Sequence, residues 1–277
     1  MLSRDELILV TGVVGNPPLD TLIEASCIAG YRGLSVWPVD VAQWRADGVT
    51  DAQARARFDA AGLIVVQQEC LMRWPKVGAA ETVREEAEVF DVATTLGAGI
   101  VSILSPGDDR YSEAQLTEAM AGVCERGAER GFDIALEIAP WKGIIDVPMA
   151  IRIIEQTGHA NAKLVIDNWH MFRGHVPPEQ LAAIPAERVS AIQLSDAPAE
   201  PGPEVFAETM GARLLPGDGA CDIPGFLSAL SGNAGDVPIS VEVLSDELRT
   251  AEPIDAAVRT AAATRKVLAT HAARPGV

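Results

Sequence analysis

The stretch "KLVIDNWHMFRG", residues 163 to 174, begins as the interior of a sheet and ends as something else. Leu164, Val165 and Ile166 would be apolar on both faces of a strand, the pattern of a parallel sheet covered on both sides. The run stops at Asp167 and His170 follows three residues later, so a carboxylate and an imidazole stand where the chain leaves the core.

The same unit recurs along the chain. Apolar runs at 7–14 (LILVTGVV), 33–38 (GLSVWP), 63–70 (LIVVQQEC), 99–106 (GIVSILSP), 132–140 (FDIALEIAP), 162–170, 189–198 (VSAIQLSDAP) and 238–245 (PISVEVLS) alternate with alanine-rich amphipathic segments. Eight strand-helix units in 277 residues predict one closed (β/α)₈ barrel spanning 1–277 rather than an open doubly wound sheet. No Gly, Ser or Pro-rich linker divides it. The stretch 197–222 is too long for a plain connection and reads as a functional loop, in which the "PGDG" turn at 216–219 presents Arg213.

Composition narrows the function classes. Hydrophobic residues at 48% and charged residues at 22% are the proportions of a globular chain with a large core. A net charge of −17 repels phosphate backbones and anionic lipid surfaces, so neither nucleic acid nor membrane is an expected partner. No apolar run reaches the ~20 residues of a membrane span, and no basic leader precedes one, which gives a cytoplasmic expectation. Cys27, Cys70, Cys124 and Cys221 are too scattered for a zinc knot and read as free thiols.

In a barrel of this kind the chemistry lies at the C-terminal strand ends. Strand five ends with Glu137, strand six with Asp167, strand seven carries Gln193 and strand eight Glu242, at spacings of 30, 26 and 49 residues. Four adjacent strands would aim three carboxylates and one amide oxygen at a common point. Carboxylates so close need a compensating charge, and an all-oxygen set suits one hard divalent cation such as Mn²⁺ or Mg²⁺. Trp37, Trp74, Trp141 and Trp169 fall at or just past strand ends, where aromatic faces would stack on the C–H surface of a polyhydroxylated small molecule. Arg73, beside Trp74, is a candidate for binding a substrate carboxylate. His159, His175 and His271 have no such placement and read as surface residues.

Across nearly all of its length the chain resembles the divalent-metal sugar isomerases and epimerases of the xylose isomerase-like barrel superfamily. The phrases "DNWH", "IQLSDAP", "RLLPGDG" and "VEVLSDELR" look especially like its bacterial 3-dehydroshikimate dehydratase branch. The family's ligands carry over to Glu137, Asp167, Gln193 and Glu242, with Gln where His is commoner. The resemblance implies Arg213 as a substrate contact and His170 as a catalytic or hydrogen-bonding group. "LEIAPWKGI" lacks the Arg-His pair associated with the dehydratase branch.

The expected activity is isomerisation or epimerisation of a small sugar, keto-sugar or cyclitol through an enediolate, with Glu137 and Glu242 exchanging the proton. The alternatives are a dehydratase with His170 as acid and a non-catalytic binding barrel. An apurinic endonuclease of this fold would need further His ligands from strands two and three, where the chain has "SVWP" and "VVQQEC". The sequence is compatible with a homo-oligomer.

Overall fold

The structure is a computed structural model that describes residues 2, 6–106, 110–139, 143–144, 146–230 and 237–273. Eight parallel strands close in sequence order into a barrel. They are β1 (Ile8–Val10), β2 (Gly33–Val36), β3 (Ile64–Leu71) and β4 (Ile100–Leu104), then β5 (Asp133–Glu137), β6 (Ala162–Asp167), β7 (Val189–Leu194) and β8 (Ile239–Val241). β8 pairs with β1, and helices cover the outside.

Inside the barrel, Ile100, Ala135, Val165 and Ala191 form a small apolar floor separate from the main core between barrel and helices. Strand side chains alternate faces, so residues two places further along point the same way. They are Ser102, Glu137, Asp167 and Gln193, all buried. Glu242 stands one residue past β8, where its N–H still donates to Leu194 O at 3.0 Å. The polar ring at the mouth therefore follows from strand periodicity on β5 to β7, across one register shift between Leu164 and Val165, and from the residue directly after β8.

β3 is less regular. Its register shifts against β2 between Leu34 and Ser35, and against β4 between Gln68 and Leu71. Such irregularities rotate the phase of a strand. Gln67, Gln68 and Glu69 are consequently buried in succession.

Three local outcomes differ from the sequence expectation. The first strand ends at Val10, and Thr11–Val14 forms a 3₁₀ turn. A Cβ on Gly12 would lie 2.9 Å from the Trp37 ring, so only glycine lets this turn approach the indole. The sixth strand stops at Asp167 rather than 170, because its carboxylate accepts the Trp169 N–H at 2.8 Å and caps the helix Asn168–Arg173. His271 is buried in the helix Pro253–Ala272 instead of lying on the surface. Among the described residues no helix is long and apolar enough to cross a membrane.

Candidate active site

The helix that starts directly after β6 answers why Asp167 and His170 sit together: one helical turn brings the imidazole back over the strand end. His170 Nε2 lies 3.2 Å from Glu137 Oε1 and 3.6 Å from Asp167 Oδ2. Ligand atoms of Glu137, Asp167 and His170 all fall within 4.8 Å of one another. Asn168 fixes this helix to β7, since its side-chain amide donates to Ser195 O at 2.9 Å and accepts the Ser195 N–H at 2.8 Å.

Arg213 enters from the segment between β7 and β8. Its backbone is held as an extension of the sheet, with Arg213 N–H donating to Leu244 O at 3.1 Å and Leu214 N–H to Asp196 O at 2.8 Å. The turn at 216–219 does not present it, contrary to the sequence reading. That turn is organised by the Asp196 carboxylate, which accepts the N–H groups of Gly217 and Cys221, each at 2.9 Å. The guanidinium donates to Asp167 Oδ2 at 2.6 Å, Glu242 Oε2 at 3.2 Å and Thr209 O at 2.9 Å, and it lies 5.1 Å over the Trp169 ring.

The segment 198–211 contains the helix Val205–Gly211 and is tied to the helix of His170. Arg173 donates to the Glu208 carboxylate and, at 2.8 Å, to Pro198 O, while Glu208 Oε2 accepts the Gly202 N–H at 2.6 Å.

These groups open on a cavity of about 330 Å³, lined by Trp37, Glu69, Leu104, Glu137, His170, Arg213 and Glu242 among others. Glu69 was not among the sequence candidates. Ser35 Oγ donates to its Oε1 at 2.5 Å. Four buried carboxyl groups thus face one guanidinium and one imidazole. Burial, then the Glu137 charge, pushes Glu69 up to about 8, against the pull of the Ser35 hydroxyl. Burial likewise drives Glu242 well above the usual carboxylate range despite Arg213. Asp167 goes the other way: burial opposes its ionisation, but the Arg213 and His170 charges hold it below its ordinary value.

The residues fit a divalent cation on two counts. The carboxylates outnumber the cations available to neutralise them. Gln193 is fully buried and neither atom of its amide has a hydrogen-bond partner, while its Cα pairs with that of Asp167. A buried amide left in this way is suited to a ligand that the protein itself does not supply.

The remaining sequence candidates divide. Trp37 lines the cavity. Trp74 does not: it is buried and its indole donates to Leu104 O at 2.7 Å. Trp169 is also buried, as a floor beneath Arg213 and Arg173 rather than a stacking surface for a ligand. Arg73 does not itself line the cavity: it pairs at 3.0 Å with Glu85, which does, and lies 4.0 Å from Glu81. Trp141 lies outside the described residues.

Residues 24–267 match the model of the xylose isomerase-like TIM barrel family, and the chain belongs to that family. It is 28% identical over 165 residues to a 3-dehydroshikimate dehydratase of Pseudomonas aeruginosa, a match that covers 58% of this chain and 26% of that protein. The chain therefore spans about a quarter of the curated relative's length. Among solved structures it is similar to IolI with a bound zinc atom, at 19% identity and a TM-score of 0.86 over 97% of this chain and 100% of the other. A D-allulose 3-epimerase from Methylomonas sp. superposes with a TM-score of 0.73 at 16% identity, over 98% of each chain. At those identities the structural likeness speaks for the fold alone.

Proposed function

We propose that this barrel is a divalent metal-dependent isomerase or epimerase of a small polyhydroxy ketone, with Mn²⁺ or Mg²⁺ held by Glu137, Asp167, Gln193 and Glu242. The observation that carries this reading is that two carboxylates, Glu137 and Glu242, line one cavity from strands on either side of Asp167. When bound, the cation supplies Lewis acidity that makes a proton next to a carbonyl removable. Glu137 and Glu242 then act as base and acid on opposite faces of the substrate, one taking the proton from carbon and the other returning it. His170, against Glu137, and Arg213, against Asp167 and Glu242, orient those carboxylates and offer N–H donors to substrate oxygens.

In D₂O, a keto-inositol or ketohexose substrate should gain deuterium at the carbon protonated. Wild-type protein loaded with Mn²⁺ that catalyses no such exchange with any of these ketones sinks the proposal.

A second reading is favoured by the match to the dehydratase: loss of a β-hydroxyl from the same enediolate, with His170 as acid. It is separated by a rise in near-ultraviolet absorbance with 3-dehydroshikimate that Glu137→Gln and His170→Ala both abolish.

A further inference from the structure

Glu69 is a buried carboxyl group of the cavity that the proposed chemistry leaves without a task; Glu85, which also lines it, is paired with Arg73. It comes from β3, which in a closed ring of eight strands lies opposite β7. The ligand set is on β5 to β8, so Glu69 faces it across the width of the mouth. A substrate whose reacting carbons lie against Glu137 and Glu242 would extend its far end toward β2 and β3.

That far wall is built. The Ser35 hydroxyl donates to Glu69 Oε1 at 2.5 Å, and Glu69 lines the cavity. Trp37 forms the adjoining wall. Its indole nitrogen is buried and completes no hydrogen bond. A buried N–H in that state, on the same wall as a carboxyl group that Ser35 engages through one oxygen, matches a hydroxyl group, which both donates and accepts.

We infer that Glu69 and Trp37 form a hydroxyl-binding subsite for the end of the substrate remote from the reacting carbons, selecting a neutral polyhydroxy ketone over one that carries a carboxylate. The inference rests on the isomerase reading for the placement of the reacting end. Its discriminating element is the charge of the wall. Among the described residues, Arg213 is the only guanidinium or ammonium lining the cavity, and it stands at the reacting end, on Asp167 and Glu242. Arg73, the nearest alternative in sequence, does not line it and is paired with Glu85 at 3.0 Å. A substrate carboxylate entering here would be desolvated beside Glu69 with no unpaired counter-charge among the described residues, and a proton on Glu69 does not replace one. At the rim, Met72 and Phe206, both exposed, offer apolar surface to ring C–H groups rather than to an anion.

The test compares two six-membered ring ketones, 2-keto-myo-inositol and 3-dehydroshikimate, of which only the second carries a carboxylate, along with a ring double bond and fewer hydroxyls. Binding to Mn²⁺-loaded protein is measured by calorimetry for wild type, Glu69→Gln and Glu69→Ala, with circular dichroism and metal content confirming that each variant is folded and loaded. Wild type should bind the keto-inositol more tightly. Glu69→Ala should weaken that binding roughly 10- to 100-fold, the scale of a hydrogen bond to a charged or buried group, and leave 3-dehydroshikimate within about threefold. Glu69→Gln, which keeps donor and acceptor atoms, should recover most of the loss.

Tighter binding of 3-dehydroshikimate by wild type, no binding of either probe, or equal weakening of both by Glu69→Ala would overturn the inference. Solvent-deuterium exchange separates the two proposals. Selective binding without exchange defeats the isomerase reading and leaves the subsite standing, whereas exchange that Glu69→Ala leaves untouched defeats the subsite alone.

Discussion

The two halves of the barrel mouth are built by different means. On β5 to β8, strand alternation with one register shift, between Leu164 and Val165, places Glu137, Asp167 and Gln193, Glu242 follows directly after β8, and Arg213 and His170 lock onto this ring. On β1 to β4, a 3₁₀ turn, two register shifts and the close approach of Gly12 to an indole produce a wall made of Trp37, Glu69 and Leu104. The regular half holds the groups that chemistry common to many substrates requires. The irregular half holds groups that recognise one of them. A barrel can in this way retain its reaction while its selectivity changes, since a shift in β3 leaves the ladder of β5 to β8 intact.

The largest effect should come from the regular half. Asp167→Asn removes the carboxylate that Arg213 and His170 share, and should lower turnover about 1,000-fold, the upper scale for a single electrostatic contact at a reacting centre. It should also cost about 3 kcal/mol of stability, because Arg213 is left buried with half its counter-charge. Steady-state turnover and thermal melting read both quantities, and elemental analysis reads the metal. Retention of metal with an unchanged melting point would mean that the ring is not a functional unit.

His170→Ala should cost on the order of 100-fold in turnover, the contribution of one positioned acid or base, with metal content near that of wild type. Loss of the metal would instead make the imidazole a ligand and extend the regular half by one helical turn.

The irregular half should show itself first in stability. Asp40 is buried behind Trp37, where Thr11 Oγ1 donates to its carboxylate and accepts the Trp37 N–H at 3.1 Å. Burial pushes Asp40 up to about 6, although the Thr11 hydroxyl and the Trp37 N–H favour the ionised form. The native state therefore holds a proton that the unfolded chain has released, and stability from this group falls as pH rises from about 4 to about 6. At about 1.4 kcal/mol per unit the difference is roughly 3 kcal/mol. Asp40→Asn should flatten that part of the profile in denaturant melts at pH 4, 5 and 6.5. An unchanged slope would show that the carboxyl is not buried as described.

The smallest effect is expected at Arg73. Its ion pair with Glu85 is half-exposed on the arginine side and worth about 1 kcal/mol or less, and Arg73 itself does not line the cavity. Arg73→Ala should change KM less than about twofold. A tenfold rise would return it to the mouth and erase the contrast between the two halves.

What was legible in the sequence follows the same division. Doubly apolar runs ending in one polar residue are read directly, and they gave both the barrel and the ring on strands five to eight. Glu69 escaped because "QQE" offers three polar residues in succession, and only the register shifts around β3 determine which of them faces the cavity. Arg73 and Trp74 were misplaced for a related reason. Nearness to a strand end in sequence does not say which way the chain turns after Leu71. Trp169 was hidden by the helix that begins at Asn168, which directs the indole under the guanidinium groups instead of toward a ligand.

The Arg173–Glu208 pair has a mechanical meaning. It joins the helix bearing His170 to the strap that leads into Arg213, and Gly202 and Pro198 are knotted into the same junction. The imidazole and the guanidinium are therefore joined through this hinge outside the cavity as well as through the Asp167 carboxylate inside it, so their mutual spacing is braced from two sides.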